Sequence, residues 1–168
     1  MNRDHHIAYI SVGSNMGDRA ENCLTGIKFL DEKEHTSVLT RSSFYQTEPV
    51  DYLEQDWFVN GMVKVETTLE PMVLLKTIKD IEQKVGRKSS AIRFGPRVLD
   101  MDIILYDSVV LEHSELEIPH PRMHKRCFVL KPLCDIDPNI VHPVFGQTIE
   151  TLLKKIDHDG QEVVPCQS

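Results

Sequence analysis

Apolar and polar positions along this chain repeat with two different periods, and each period predicts one kind of element. Residues 7–12 form an apolar run that ends in a glycine-containing turn, which indicates a first strand. Residues 36–47 look extended, and residues 57–67 alternate between apolar and polar side chains as a strand does. Residues 48–56 have no sustained period and predict a loop. Between the first two extended segments, helical spacing predicts a helix through Cys23, Leu24, Ile27 and Leu30.

The clearest helical pattern begins at Pro71, a residue that suits the first position of a helix. Its apolar stripe consists of Leu74, Ile78, Ile81 and Val85. Gly86 then predicts the end of the helix, because glycine readily adopts the left-handed conformation that follows a last turn. Residues 87–96 are basic, contain serines and a Gly-Pro pair, and lack a period, so they predict a mobile loop.

The second half of the chain predicts a strand over residues 98–106, a turn, and a short strand over 109–112 that pairs back on it. Two helices are predicted to follow, one ending at Leu130 and one over residues 148–156. Consecutive strands that can form hairpins favour an α+β fold with a mainly antiparallel sheet and flanking helices. Since no repeat or linker interrupts the pattern, we expect a single domain over residues 1–168.

Composition narrows the class of protein. Of the 168 residues 40% are hydrophobic, enough for one sizeable core, and the net charge of −7 argues against nucleic-acid and membrane partners. Nine of the 19 basic residues lie in segments 84–97 and 121–131, neither of which contains an acid, and this predicts a local anion site. The four cysteines have no CxxC spacing and no signal peptide or span is apparent, so we expect a cytoplasmic protein with reduced thiols.

The most informative residues are Asp100 and Asp102 in the strand predicted near the middle of the chain. Alternation places both carboxylates on one face, with their Cα atoms about 6.7 Å apart, and places the apolar residues Leu99, Met101, Ile103 and Leu105 on the other face. Two carboxylates that close repel each other unless a cation joins them, and oxygen ligands suit magnesium. The alternative is a half-exposed strand with two solvated aspartates, which for so short a motif has about even odds.

Other catalytic signatures are missing from the sequence. It has no glycine-rich phosphate loop, no GxGxxG, no GxSxG and no HExxH, so any nucleoside triphosphate would be held by arginines and metal. His120 and His124 have a spacing that suits zinc on a helix, but a proline follows His120 and no third ligand is evident, which argues against a zinc site.

Residues 93–103, RFGPRVLDMDI, resemble the signature of the 6-hydroxymethyl-7,8-dihydropterin pyrophosphokinases of folate biosynthesis. Supporting matches are found at residues 8–15, 43–47, 60, 81–82, 86–87, 118–120 and 126–128. The resemblance implies a ferredoxin-like α+β sandwich that transfers pyrophosphate from ATP to the hydroxymethyl group of the pterin and releases AMP. It also implies a monomer that takes small-molecule substrates and no nucleic acid.

The resemblance assigns roles to individual positions of this chain. The implied catalytic residues are Arg87, Arg97, Asp100 and Asp102, with two magnesium ions on the two aspartates. The implied ATP contacts are Leu75, Glu82, Arg87, Arg93, Phe94, Arg97, Ile103, His120 and Arg126. The pterin is implied to stack between two aromatic rings and to contact Gly13, Thr47, Glu48, Val50, Phe58, Asn60, Asp100 and Phe128.

The chain departs from the family pattern at Phe94, Glu115, Glu117 and Pro121, positions that bear on adenosine binding. Two other functions stay open. One is a different metal-dependent nucleotidyl or phosphoryl transferase that uses the same aspartates, and the other is a ferredoxin-like RNA-binding module. The strongly acidic remainder of the chain and the lack of interleaved aromatic and basic residues argue against the RNA-binding module.

Overall fold

The fold consists of an antiparallel main sheet with helices on both faces. The computed structural model describes residues 4–50, 53–86 and 97–166. The strands are β1 (His6–Ser14), β2 (Thr36–Arg41), β3 (Tyr45–Thr47), β4 (Phe58–Thr67), β5 (Asp100–Tyr106), β6 (Leu111–Glu112), β7 (Glu117–Ile118) and β8 (Val163–Pro165). The helices are α1 (Arg19–Asp31), α2 (Pro71–Val85), α3 (Cys127–Ile136) and α4 (Ile149–Lys155), with a short 3-10 turn at Met123–Lys125.

The main sheet has the strand order β5-β1-β4-β3-β8, and β2 pairs with the other half of β4. Every pairing in it is antiparallel, as the succession of predicted strands suggested. Each of the connections β1-α1-β2 and β4-α2-β5 leaves the sheet and returns through a helix, so α1 and α2 lie side by side on one face. This is the expected α+β ferredoxin-like sandwich.

Strand alternation gives the protein two apolar cores. Ala8, Ile10 and Val12 of β1 pack with α1 and α2 on one face of the sheet. Tyr9 of β1 and Met62 of β4 pack with α3 and α4 on the opposite face. Because both faces are covered, the central strands are apolar on both sides over part of their length.

Helix α2 matches its sequence prediction closely. Pro71 is its first residue, and Gly86 follows its last turn with φ 120°, a left-handed conformation in which glycine is unstrained. Leu74, Ile78 and Ile81 are buried along the predicted stripe. In α1 the stripe is narrower than expected, because Leu24 is 38% exposed.

A bulge in β5 changes which face two of its residues occupy. Tyr9 pairs with Leu105 but Ile10 pairs with Ile103, so Ile104 is an extra residue on β5. Met101 and Ile103 pack with α1 and α2 as predicted, whereas Leu105 joins Ile104 in the core with α3 and α4. The prediction that Leu105 shares a face with Met101 is therefore wrong, and the bulge is the reason.

Two other predictions from the sequence differ from the structure, and one strand has no counterpart among the predictions. The segment after the turn at Asp107 does not pair back on β5, since β6 forms its own two-stranded hairpin with β7. The helix predicted to end at Leu130 is instead the 3-10 turn followed by α3, because Arg126 between them has an extended backbone. Strand β8, which pairs with β3 at the sheet edge, was not predicted.

The structure also shows the state of the cysteines and the character of the helices. All four cysteines are free thiols, in agreement with their spacing. Within the described ranges, no helix combines the length and the apolar character that a bilayer crossing requires.

Candidate active site

A cavity of about 350 Å³ opens on the sheet face that carries α3, at the end where β1 finishes and β4 and β5 begin. Residues from these strands, from β3, from α2 and α3, and from the connecting loops line it. They are Ser11, Gly13, Thr47, Glu48, Pro49, Val50, Gln55, Phe58, Asn60, Lys79, Arg97, Asp100, Asp102, His120, Arg122, Arg126 and Phe128.

Asp100 and Asp102 project from β5 into this cavity, while Met101 between them is fully buried on the other face. The strand partners of the two aspartates on β1 are Gly13 and Ser11, and these small residues leave space beside the carboxylates. Within the part of the chain that the structure describes, no third His, Cys, Asp or Glu completes a metal cluster. Two carboxylates with open space beside them suit magnesium, which fills its remaining positions with water and phosphate oxygens.

Cationic side chains line the cavity together with the aspartates. They are Lys79, Arg97, Arg122 and Arg126. The backbone at Arg97 is fixed by buried Asn15, since the Arg97 N–H donates to Asn15 Oδ1 at 2.8 Å and the Asn15 N–H donates to the Arg97 carbonyl at 3.1 Å. The Arg126 guanidinium lies 5.4 Å from the centre of the Phe128 ring. Guanidinium groups bind phosphate oxygens strongly, so this side of the cavity suits a polyphosphate.

His120 supplies an uncharged donor in the same region. Burial and the neighbouring Arg126 and Arg122 lower its pKa from 6.5 to about 4, so the ring is neutral at pH 7. Its Nδ1 accepts the Arg122 backbone N–H at 3.2 Å, which leaves the proton on Nε2. His120 can therefore donate one hydrogen bond to an anion without adding charge.

Another part of the cavity lining combines aromatic rings with a buried amide. Phe58 and Phe128 both line it, and Asn60, which is 6% exposed, donates from Nδ2 to Thr47 Oγ1 at 2.6 Å. A Cβ at Gly13 would lie 2.3 Å from Asn60 Oδ1, so only glycine leaves room for the amide. Flat apolar surface beside a fixed amide is the arrangement expected for a planar heterocycle with polar edges.

The cavity brings together most of the residues that the sequence singled out. Those that line it are Gly13, Thr47, Glu48, Val50, Phe58, Asn60, Arg97, Asp100, Asp102, His120, Arg126 and Phe128. Arg87, Arg93, Phe94 and the loop of residues 87–96 lie outside the described residues. Among the departures from the family pattern, Glu115, Glu117 and Pro121 are exposed and do not line the cavity.

Three predicted ATP contacts are placed elsewhere. Ile103 is 2% exposed and packs in the core with α1 and α2, and Leu75 packs against the same core. Glu82 is 1% exposed and forms a salt bridge with Lys79. None of the three lines the cavity, and for Ile103 the reason is alternation along β5, which directs its side chain to the core with α1 and α2.

Sequence reasoning also missed a lining residue, Lys79. Arg122, which lines the cavity too, lies in segment 121–131, for which the sequence predicted an anion site without giving Arg122 a specific contact. Lys79 is four residues from Leu75 on α2, a spacing that places two side chains on neighbouring turns of one helical face. That spacing alone gives no sign that the helix borders a cavity.

Paired carboxylates, clustered cations and a slot with aromatic and amide groups define this cavity as a candidate site for phosphate transfer to a planar substrate. A family model described as 7,8-dihydro-6-hydroxymethylpterin-pyrophosphokinase matches residues 9–138. The 2-amino-4-hydroxy-6-hydroxymethyldihydropteridine pyrophosphokinase of Methylorubrum extorquens is 37% identical over 157 residues, which cover 94% of this chain and 98% of that protein. The enzyme of the same name from Bacillus subtilis is 41% identical over 132 residues, covering 79% and 78%. The chain belongs to the 7,8-dihydro-6-hydroxymethylpterin-pyrophosphokinase family.

Some relatives are much longer proteins. The folic acid synthesis protein fol1 of Schizosaccharomyces pombe is 42% identical over 154 residues, which cover 92% of this chain and 21% of that protein. This chain thus spans about a fifth of the length of such a relative. The crystal structure of Plasmodium falciparum HPPK-DHPS has a TM-score of 0.72 at 19% identity and matches 91% of this chain and 46% of that one, a likeness of fold.

Proposed function

We propose that this chain transfers the pyrophosphoryl group of ATP to 6-hydroxymethyl-7,8-dihydropterin. The hydroxymethyl oxygen attacks the β-phosphorus, the bond from that phosphorus to the oxygen bridging to the α-phosphate breaks, and AMP leaves while the hydroxyl proton passes to solvent. The products are AMP and the pterin diphosphate. The observation that carries the proposal is one cavity lined by a carboxylate pair, several cationic side chains, two aromatic rings and a buried amide.

The aromatic and amide end of the cavity is the proposed pterin site. Phe58 and Phe128 supply flat apolar surface for the ring. The Asn60 amide, fixed by its hydrogen bond to Thr47, reads the polar edge of the ring, with Gly13, Glu48 and Val50 beside it. A fixed amide discriminates well between heterocycles, because a partner without the matching group leaves a buried polar atom unpaired.

The cationic end is the proposed triphosphate site. Arg97 and Arg126 bind phosphate oxygens, and neutral His120 donates from Nε2. Two magnesium ions held by Asp100 and Asp102 would offset the charge that develops on the phosphate oxygens during transfer. The side chains orient the triphosphate toward the pterin end, and this positioning is the larger part of what a protein contributes to phosphoryl chemistry.

The chain is further proposed to act as a single cytoplasmic domain and as a monomer. Free thiols suit a reducing compartment.

The proposal is tested by mixing protein, ATP, Mg²⁺ and the hydroxymethyl dihydropterin and separating the nucleotide and pterin products. We expect pterin-dependent AMP in a one-to-one ratio with pterin diphosphate. The matched control is 6-methyl-7,8-dihydropterin, which lacks the accepting oxygen and should give no AMP above background. Formation of ADP would identify a phosphoryl transferase and release of pyrophosphate a nucleotidyl transferase, and either product would overturn the proposal.

A further inference from the structure

Lys79 brings a positive charge from α2 into the cavity that holds the aspartate pair. Its ammonium Nζ lies 3.0 Å from Glu82 Oε1, one turn further along the helix. The Lys79 side chain is 40% exposed whereas that of Glu82 is 1% exposed. The carboxylate is therefore inside the protein and the ammonium is at the cavity surface.

Glu82 also connects this lysine to the strand of the two aspartates. Glu82 Oε1 accepts the backbone N–H of Met101 at 3.3 Å, and Met101 separates Asp100 from Asp102. One carboxylate oxygen thus contacts both the Lys79 ammonium and the peptide between the two aspartates. This arrangement fixes the position of the ammonium relative to the carboxylate pair.

Stability alone is a poor explanation for such an ion pair. Burial of the Glu82 carboxylate has a desolvation cost, and one ion pair with a partly exposed lysine is a weak compensation for it. An ammonium has three N–H donors, and Glu82 Oε1 takes one of them, so donors remain for a ligand in the cavity. Lys84 on the same helix shows the contrast, because its ammonium lies 4.1 Å from the centre of the Phe29 ring and does not line the cavity.

We infer that Lys79 is a further substrate-binding residue that donates to the phosphate chain of the nucleotide, and that Glu82 is a positioning residue acting through Lys79. The inference rests on the proposed function, since it takes a nucleoside triphosphate as the ligand. It changes the role expected for Glu82, which orients a ligand-binding group from inside the protein.

The first experiment measures binding of ATP with Mg²⁺ by titration calorimetry, without pterin. Lys79→Met should weaken ATP binding about tenfold, the effect of removing one charge-assisted hydrogen bond. Lys79→Arg should stay within about threefold of the unchanged protein. Lys76→Met is the matched control, an exposed lysine of α2 outside the cavity, and should leave binding unchanged. Equal ATP affinity for Lys79→Met and the unchanged protein would overturn the inference.

Two comparisons separate this inference from the proposed function. If the unchanged protein fails to bind ATP with Mg²⁺, the proposed function itself is wrong. If it binds and Lys79→Met weakens ATP and the hydroxymethyl dihydropterin equally, the specific contact with the phosphate chain is wrong. We expect the affinity for the pterin to change less than twofold.

The positioning role of Glu82 is tested by a double-mutant cycle. Glu82→Gln keeps the shape of the side chain and an oxygen for the Met101 N–H but removes the charge that holds Lys79. We expect it to weaken ATP binding about threefold in the unchanged protein and to have no further effect in the Lys79→Met background. Additive losses would show that Glu82 acts by another route and would overturn its positioning role.

Discussion

The two faces of the central sheet differ sharply near the start of β5. On the face covered by α1 and α2, Met101 and Ile103 are buried among aliphatic side chains. On the opposite face, Asp100 and Asp102, the residues before and after Met101, line a cavity. A strand in which successive side chains point to opposite sides can thus stabilise the fold and present a reactive surface within the same four residues.

The second face is itself divided along its length. Where α3 and α4 cover it, Tyr9 donates a hydrogen bond to Asp137, whose carboxylate also pairs with Lys64 at 2.9 Å. The Lys64 and Tyr9 hydrogen bonds lower the pKa of Asp137 despite the opposing effect of burial. Beyond this covered part the strands reach the cavity, and the polar side chains there line its wall. A hydrogen-bonded cluster beneath the helices therefore marks the covered half, and a cavity of about 350 Å³ marks the other half.

The largest expected effect comes from removing one carboxylate on the cavity face. Asp102→Asn should lower the rate of pterin-dependent AMP formation at least a hundredfold, because an amide is a weak magnesium ligand. Its free energy of unfolding should stay within about 1 kcal/mol of the unchanged value, since one of two mutually repelling carboxylates is lost. Steady-state assays and urea titration measure both quantities. A near-normal rate would show that the formation of AMP does not depend on the Asp102 carboxylate.

The neighbouring position tests the other face. Met101→Ala should lower the free energy of unfolding by about 2–5 kcal/mol, because it leaves a void in a fully buried core. Urea denaturation gives this value. A loss below about 1 kcal/mol would mean that the core face is not packed as the structure has it, and the contrast between the two faces would fail.

A smaller effect on the cavity face is the pH dependence of stability through His120. Its pKa of about 4 in the folded protein lies below the ordinary 6.5 of the unfolded chain. Between these values the unfolded chain binds a proton that the folded protein does not, so acid favours unfolding. This histidine should therefore lower the free energy of unfolding by about 2 kcal/mol from pH 7.5 to pH 5.

Urea titrations at both pH values, on the unchanged protein and on His120→Gln, measure this contribution. In His120→Gln, the loss of unfolding free energy between pH 7.5 and pH 5 should be smaller by the part that His120 supplies, and the part due to other histidines such as His142 should remain. An equal loss in the two proteins would show that His120 is not held neutral by its surroundings.

Alternation in the sequence was enough to place Asp100 and Asp102 on one face and Met101 on the other. It failed at Leu105 because of the bulge at Ile104. A bulge depends on how β5 pairs with β1, and the order of apolar and polar residues within one strand does not reveal that pairing. The hairpin of β6 and β7 was not predicted for a related reason, since its two-residue strands are too short to show a period.

The cavity was harder to predict than the strands, because it is assembled from distant parts of the chain. Motifs identified twelve of the residues that line it, but the family pattern also named Ile103 and Glu82, which the fold buries. Lys79 was missed for the opposite reason, since a lysine on a helix is usually solvated and only the packing of α2 beside β5 brings this one to the site.

The contact between Gly13 and Asn60 has a consequence for how this site can vary among related chains. With 2.3 Å between Asn60 Oδ1 and the place of a Cβ at residue 13, position 13 cannot accept a larger side chain while the Asn60 amide keeps its place. The two residues face each other across β1 and β4, 47 positions apart in the sequence. A redesigned or diverging protein that carries a side chain at position 13 must therefore also move or replace the amide at position 60, which lines the cavity.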